Sequence, residues 1–275
     1  MNADADSLDL ALRRALAGYP RRIVACSGGI DSLLLATVAH DAAPGDTIVA
    51  HAVAPAVPAV ATSRVLAAAD RYGWDLEVVR TREFEDERYL RNPRNRCYFC
   101  KVNLYDELAR VAAARSVAHD WRLLSGTNTD DLGEYRPGLV AAGERAVAHP
   151  YVEAGLAKQD VRSLARHLGL EWADLPAAPC LASRLYTGTR VTAARLRAVE
   201  VGEELIRAAT GIGIVRCRID DDRVFIEVQD EDRALIDEGL RARVTDAMRA
   251  VAPALEAVGL DVHAYRPGRA FLPVA

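Results

Sequence analysis

Three short stretches of this chain carry residues whose types and spacing can do chemistry. The first is Ser27-Gly28-Gly29-Ile30-Asp31-Ser32, set between the apolar run Ile23–Cys26 and a helix-like stretch from Asp31 to His40. Paired glycines let a backbone approach a ligand closely. A helix start adds free N–H donors and the positive end of a dipole. The pattern therefore predicts a phosphate-binding loop. It is not a Walker A loop, since no Gly-Lys-Ser/Thr follows. Asp31 is placed to hold Mg²⁺ against a polyphosphate, and it also suits the dipole of its own helix.

The second stretch, Ser125-Gly126-Thr127-Asn128-Thr129-Asp130-Asp131, follows another strand-like run. Its residue types are those of turns, so its force comes from company with the first loop, with Glu134 and Arg136 close by. The third group is thiol chemistry. Cys97-Tyr98-Phe99-Cys100-Lys101 is a C-x-x-C at an expected helix start, with Arg94 and Arg96 before it. Cations and a helix N-terminus both favour thiolate. A redox pair, half a zinc site and part of an iron–sulfur site all fit this spacing. Cys180, in Pro179-Cys180-Leu181-Ala182-Ser183-Arg184, sits in a loop beside a cation. Cys26 and Cys217 fall on apolar strand positions and read as structural. The alternation that sends Cys217 inward sends Arg216 and Arg218 to the opposite face, where Glu227 can join them across a hairpin. Such a face suits an anionic ligand, substrate phosphate included.

These residues need a scaffold, and the chain spells one out. Ile23–Cys26, Thr47–Val53, Leu76–Arg80 and Arg122–Leu124 read as strands. Asp31–His40, Ala59–Tyr72, Tyr98–Val117 and Lys158–Leu168 read as helices. This alternation predicts a parallel sheet covered on both faces, with ligands at the carboxyl ends of its strands. Residues 171–191 read as a long ordered loop. A helix capped by Thr192 and running to Ala209, strands at Ile214–Ile219 and Val224–Val228, a helix at Leu235–Val258 and a strand at Asp261–Tyr265 then form a β-β-α-β unit. The expectation is an α/β protein: a parallel-sheet domain over residues 1–190 and a smaller α+β domain for substrate binding and oligomerisation over residues 191–275.

Bulk properties narrow the class. With 275 residues, 51% hydrophobic, the chain has material for two cores. A net charge of −4 gives no general reason to expect nucleic-acid binding. No apolar run approaches membrane-spanning length, and the acidic start lacks a secretory pattern. A cytoplasmic enzyme acting on a small molecule is expected, as a homo-oligomer. Five cysteines do not suggest a disulfide framework. Against 33 arginines there are two lysines, Lys101 and Lys158; either chance kept them or these sites need a compact ammonium rather than a planar guanidinium.

The S-G-G-x-D-S loop resembles the PP-loop of ATP pyrophosphatases, which cleave ATP between its α and β phosphates. With R-C-Y-F-C-K, G-T-N-x-D-D, Lys158–Leu170 and P-C-L-A-S-R added, roughly the first 230 residues resemble the LarE family of ATP-dependent sulfur transferases. That resemblance implies an adenine nucleotide alpha hydrolase-like fold. It also implies adenylation of the carboxylates of pyridinium-3,5-biscarboxylic acid mononucleotide and their conversion to thiocarboxylates, for the nickel-pincer cofactor of lactate racemase. ATP and Mg²⁺ are then cofactors. Ser27, Gly28, Gly29, Ile30, Asp31, Ser32, Gly126, Thr127, Asn128 and Asp130 would line the nucleotide site. Ser183 and Arg184, and by a looser match Arg216, Arg218 and Glu227, would bind substrate phosphate. Family members either sacrifice the sulfur of a cysteine matching Cys180 or hold a 4Fe-4S cluster on three cysteines. Cys97, Cys100 and Cys180 are all present, so the cluster form is expected. The alternatives are sacrifice of Cys180, and a tRNA-thiolating PP-loop enzyme, which the acidic balance disfavours. An amide synthase of the same superfamily has no need of three loop thiols.

Overall fold

Four strands form an all-parallel sheet: β1 (Arg21–Ala25), β2 (Thr47–Val53), β3 (Asp75–Arg80) and β4 (Trp121–Ser125), in the order β3-β2-β1-β4. The computed structural model describes residues 3–115, 121–133, 136–177, 179–266, 268 and 270. All four expected strands are present. From β1 the chain steps outward through β2 and β3, then returns to the other side of β1 as β4. The strand order thus reverses beside β1, and the loops after β1 and β4 leave the sheet as neighbours, where α/β sheets bind ligands.

The helices are α1 (Ala3–Ala17), α2 (Ile30–Ala42), α3 (Ala59–Tyr72), α4 (Glu87–Leu90), α5 (Arg96–Ala114), α6 (Pro137–Glu144), α7 (Pro150–Glu153), α8 (Lys158–His167), α9 (Ala193–Thr210) and α10 (Glu238–Val251). Alternate residues of the sheet feed two cores. Val24, Val49 and Leu124 pack with Leu12 and Leu16 of α1, Leu33–Leu35 of α2 and Leu164 of α8. Ile23, Ile48 and Leu123 pack with Tyr105 and Leu108 of α5 and Ala142 of α6. Cover on both faces explains the continuous buried runs of β1, β2 and β4, while β3, at the sheet edge, buries only Val79. Helix α1 has no counterpart in the sequence reading. Its apolar positions Ala5, Leu12 and Leu16 are buried between charged ones.

The second sheet runs β5 (Val215–Asp220), β6 (Arg223–Val228) and β7 (Glu256–Ala264), antiparallel then parallel, as a β-β-α-β unit requires. The helix expected over Leu235–Val258 is shorter. Asp237 accepts from the Leu240 N–H at 2.7 Å and sets the start of α10. Pro253, which has no N–H to give, follows its end, and the expected last strand begins early, at Glu256. The expected helix end at Val117 lies outside the described residues.

The chain folds as two compact units, Met1–Arg82 with Cys97–Ala178, and Glu83–Arg96 with Pro179–Ala275. The boundary expected near residue 190 falls inside the second unit. The cause is hydrogen bonding: the Gly188 N–H reaches the Asn92 carbonyl at 2.9 Å and the Val191 N–H reaches that of Leu90 at 2.9 Å. These bonds tie residues 179–191 to the segment around α4. No helix among the described residues is long and apolar enough to cross a membrane.

Candidate active site

In the first unit, β1 ends at Ala25 and the chain turns through Cys26–Gly29 into α2. Gly28 has a φ of 79°, a left-handed conformation that favours glycine, and a Cβ there would lie 2.7 Å from the Ala61 carbonyl oxygen. The turn is held from within. The Ser27 N–H donates to Ser32 Oγ at 3.0 Å, and Ser32 Oγ donates to the Gly29 carbonyl at 2.9 Å. Ser32 is therefore a brace of the loop, buried at 6% exposure. Ile30 puts its side chain in the core, leaving its backbone as its contribution. Gly29, the N-cap of α2, brings no side-chain cap to the helix start, and an uncapped helix start suits an anion. From α3, Arg64 donates to the Gly28 carbonyl at 2.6 Å. From β2, His51 Nδ1 lies 2.8 Å from the Cys26 carbonyl oxygen. Burial lowers the pKa of His51 and favours its neutral form.

The loop after β4 meets this one through Gly126. A Cβ on Gly126 would stand 2.9 Å from the Asp31 carbonyl carbon and 3.1 Å from the Ser32 nitrogen. Gly126 thus serves close packing of the two loops. Asn128 Nδ2 donates to Asp31 Oδ1 at 3.1 Å. Asp130 is exposed and accepts from the Lys158 N–H at 3.0 Å, at the start of α8. Lys158 then turns its own ammonium back onto Asp31 Oδ2 at 3.0 Å. Tyr151 OH donates to the Asp31 carbonyl at 2.8 Å. Thr127 Oγ1 is 3.0 Å from Ser125 Oγ, which is 2.8 Å from His149 Nδ1. Burial is the largest cause lowering the pKa of His149, with Lys101 adding to it. Asp31, Asn128, Asp130 and Lys158, up to 127 positions apart in sequence, form one polar cluster. Arg136 pairs with Asp131 at 2.9 Å. Glu134 lies outside the described residues. Lys158 is the functional candidate that motif reasoning left without a role, though its rarity was a signal.

Cys97 and Cys100 lie in the first turn of α5, half-buried and one turn apart. Spacing of i and i+3 puts them on one helix face. Lys101 follows, its stem passing 3.1 Å from where a Gly138 Cβ would be and its ammonium 5.7 Å from the Tyr105 ring centre. Burial pushes the Cys26 thiol up to about 11, and burial likewise raises Cys217 strongly. Both are inert structural residues, as expected.

In the second unit, Cys180 is exposed and caps a short 3₁₀ turn, Leu181–Arg184. Arg184 is buried and fully engaged. It makes a two-pronged pair with Glu203 at 2.8 and 2.9 Å, and donates to the carbonyls of Pro179 at 2.7 Å and Cys180 at 3.2 Å and to Ser183 Oγ at 3.1 Å. Its geometry is that of a pin for the Cys180 loop. Arg218 pairs with Glu227 at 2.8 Å and donates to the Ser183 carbonyl at 2.8 Å. Arg216, Arg218 and Glu227 share the face expected of them, and all three are buried. Burial and the nearby Arg184 charge lower the pKa of Arg216. Burial alone would raise that of Glu203, yet bonds and charges of Arg184, Arg207 and Arg216 hold it below the usual carboxylate value. Glu203 was a missed residue. Its signal was a carboxylate on the α9 stripe that also carries Val199 and Ile206.

Among the described residues no group of three His, Cys, Asp or Glu side chains is arranged to hold a metal ion. The thiols stand as a pair in the first unit and a single exposed residue in the second.

No family model matches the chain. Among known proteins it is 37% identical over 220 residues to an uncharacterised protein of Synechocystis sp., covering 80% of this chain and 81% of that one. It is 28% identical over 216 residues to an uncharacterised protein of Methanocaldococcus jannaschii, covering 78% and 81%. It is 30% identical over 223 residues to the pyridinium-3,5-bisthiocarboxylic acid mononucleotide synthase of Lactiplantibacillus plantarum, covering 78% and 76%. At that identity over more than two thirds of both chains, and with the parallel sheet and paired loops in place, this chain belongs to the LarE-like family that includes that synthase.

Proposed function

We propose that this protein is an ATP-dependent sulfur transferase that converts the carboxylates of a pyridinium dicarboxylate mononucleotide to thiocarboxylates, in the making of a nickel-pincer cofactor. A carboxylate oxygen attacks the α-phosphorus of ATP and pyrophosphate leaves. The acyl adenylate so formed is an anhydride with a good leaving group. A sulfur nucleophile then attacks the acyl carbon, and AMP departs with the electron pair of the broken C–O bond.

The observation that carries this reading is the cluster around Asp31. A glycine turn with an uncapped helix start stands beside a carboxylate, and an ammonium lies 3.0 Å from that carboxylate. The backbone N–H groups suit polyphosphate, and Lys158 supplies a mobile positive charge for the leaving pyrophosphate. Asp31 offers one carboxylate, the number Mg²⁺ usually takes from protein when phosphate oxygens and water complete its shell; the ion neutralises charge on the leaving group. Ser27 is exposed at the mouth of the loop. In the second unit, the Arg216–Arg218 face supplies positive charge for the substrate phosphate.

For the sulfur, Cys97, Cys100 and Cys180 would hold a 4Fe-4S cluster, which supplies a transferable sulfide. The donor set suits it, being three cysteines, none of them buried, that include one local C-x-x-C. The experiment is turnover with ATP, Mg²⁺ and the pyridinium mononucleotide under anaerobic conditions. AMP and pyrophosphate appearing in step with thiocarboxylate support the proposal, and ADP with phosphate refutes it.

A further inference from the structure

We propose that Asn92 and Arg96 are positioning residues for the loop that carries Cys180. They clamp residues 180–191 in the conformation that presents the thiol for sulfur transfer. The inference rests on the sulfur-transferase reading above and adds to it Asn92, which no motif includes, and a positioning role for Arg96 beyond that of a cation beside the C-x-x-C.

Residues 180–191 hold no strand or α-helix of their own, beyond the 3₁₀ turn and an isolated bridge from Leu185 to Ile219. Backbone bonds to Leu90, Asn92, Ile219 and Ala270 hold residues 186–191, and side chains add bonds along the whole segment. Asn92 is 2% exposed with a φ of 51°, a left-handed conformation that asparagine tolerates better than most residues. Its Nδ2 donates to the carbonyls of Tyr186 at 2.7 Å and Thr189 at 3.0 Å. Its own carbonyl accepts from the Gly188 N–H at 2.9 Å. Arg96 is 3% exposed, and its Nη1 donates both to Asn92 Oδ1 and to the Ala182 carbonyl, the latter at 2.8 Å. From the loop itself, Arg184 holds the carbonyls of Pro179 and Cys180. The carbonyls at 179, 180, 182, 186 and 189 are thus all taken by side-chain donors of this unit. Glu87 and Arg190 close the rim at 2.6 and 2.9 Å. A buried guanidinium bonding the loop two residues past the thiol fixes the path of Cys180 far more tightly than solvent-exposed backbone would. In group transfer a nucleophile displaced by 1 Å loses about 100-fold in rate.

The test compares Arg96→Gln and the milder Arg96→Lys with the wild-type chain, by hydrogen exchange and by turnover. In Arg96→Gln the amides of Ser183, Leu185, Gly188 and Val191 should exchange about 10- to 100-fold faster, because the clamp's bonds no longer oppose local opening. Amides of the β5–β6 ladder should keep their rates. Sulfur transfer, and the AMP release that accompanies it, should fall by about 100-fold while pyrophosphate release in a single turnover keeps its wild-type rate. Arg96→Lys keeps the charge but carries its donor on a shorter stem than the guanidinium Nη1 that bonds both Asn92 and Ala182, and should lie between. Unchanged exchange in the loop, exchange raised throughout the unit, or single-turnover pyrophosphate release falling as far as sulfur transfer would each overturn the clamp. If the wild-type chain releases no AMP and pyrophosphate, the function itself fails, and the exchange rates alone then decide the clamp.

Discussion

Replacing Lys158 by Met should separate stability from catalysis. Lys158 Nζ lies 3.0 Å from Asp31 Oδ2, with side-chain exposures of 40% and 23% for the two partners. At such exposure water and salt screen the pair, so its loss should cost about 1 kcal/mol or less. A chain with units of this size should lose only about 2–4 °C in Tm. The position is otherwise retained, because the Lys158 N–H still bonds Asp130 at 3.0 Å. Catalysis should respond very differently. An ammonium stabilising charge on the departing pyrophosphate acts in the transition state more than in the ground state, and removing one such group costs about 10²–10³-fold. The assay is AMP release at saturating Mg-ATP, beside thermal unfolding of the same preparation. Asp31→Asn should also lose most AMP release, an amide being a poorer Mg²⁺ ligand. The double variant should be less impaired than the product of the two single losses if both act on one pyrophosphate. AMP release in Lys158→Met within a few-fold of wild type, or a collapse in Tm with no specific kinetic loss, would show that the pair is structural and refute the reasoning.

Three more outcomes follow from the geometry. Gly126→Ala puts a Cβ 2.9 Å from backbone of Asp31; the strain should cost about 1–3 kcal/mol and weaken ATP binding, whereas Gly45→Ala, with open space around it, should leave ATP binding alone. Glu203→Gln breaks a buried pair with Arg184 at 2.8 Å and should cost about 3–5 kcal/mol in urea unfolding; a loss below about 1 kcal/mol would contradict it. Because the folded Glu203 pKa is lowered, its contribution is full above the unfolded value of about 4.3 and fades as pH falls through the folded one, so wild type should show an acid-side loss that the variant lacks. For the thiols, each of Cys97→Ala, Cys100→Ala and Cys180→Ala should lower iron content after anaerobic reconstitution. A mass loss equal to one molecule of hydrogen sulfide at Cys180 after one turnover would instead establish sacrifice of its sulfur.

The sequence by itself determined the parallel sheet and the phosphate-type turn. Buried parallel strands must be continuous apolar runs, and β1, β2 and β4 were legible for that reason, whereas β3, at the sheet edge, buries only Val79. The turn was legible because left-handed Gly28 and the start of α2 are local events, decided within a few residues. The alternation around Cys217 likewise placed Arg216, Arg218 and Glu227 on one face, since a strand's period is local too. Tertiary structure alone decided what these groups touch. Lys158 meets Asp31 across 127 positions, and Arg184 spends its donors on Glu203 and on its own loop. Asn92 draws residues 186–189 into its unit, which moved the domain boundary. Nothing local marks such partners, because a guanidinium or an ammonium has the same preferences on a surface as in a buried pair. Strand order and the packing of distant segments choose the carboxylate or carbonyl that satisfies it, and with that choice, whether the residue binds a ligand or holds the protein together.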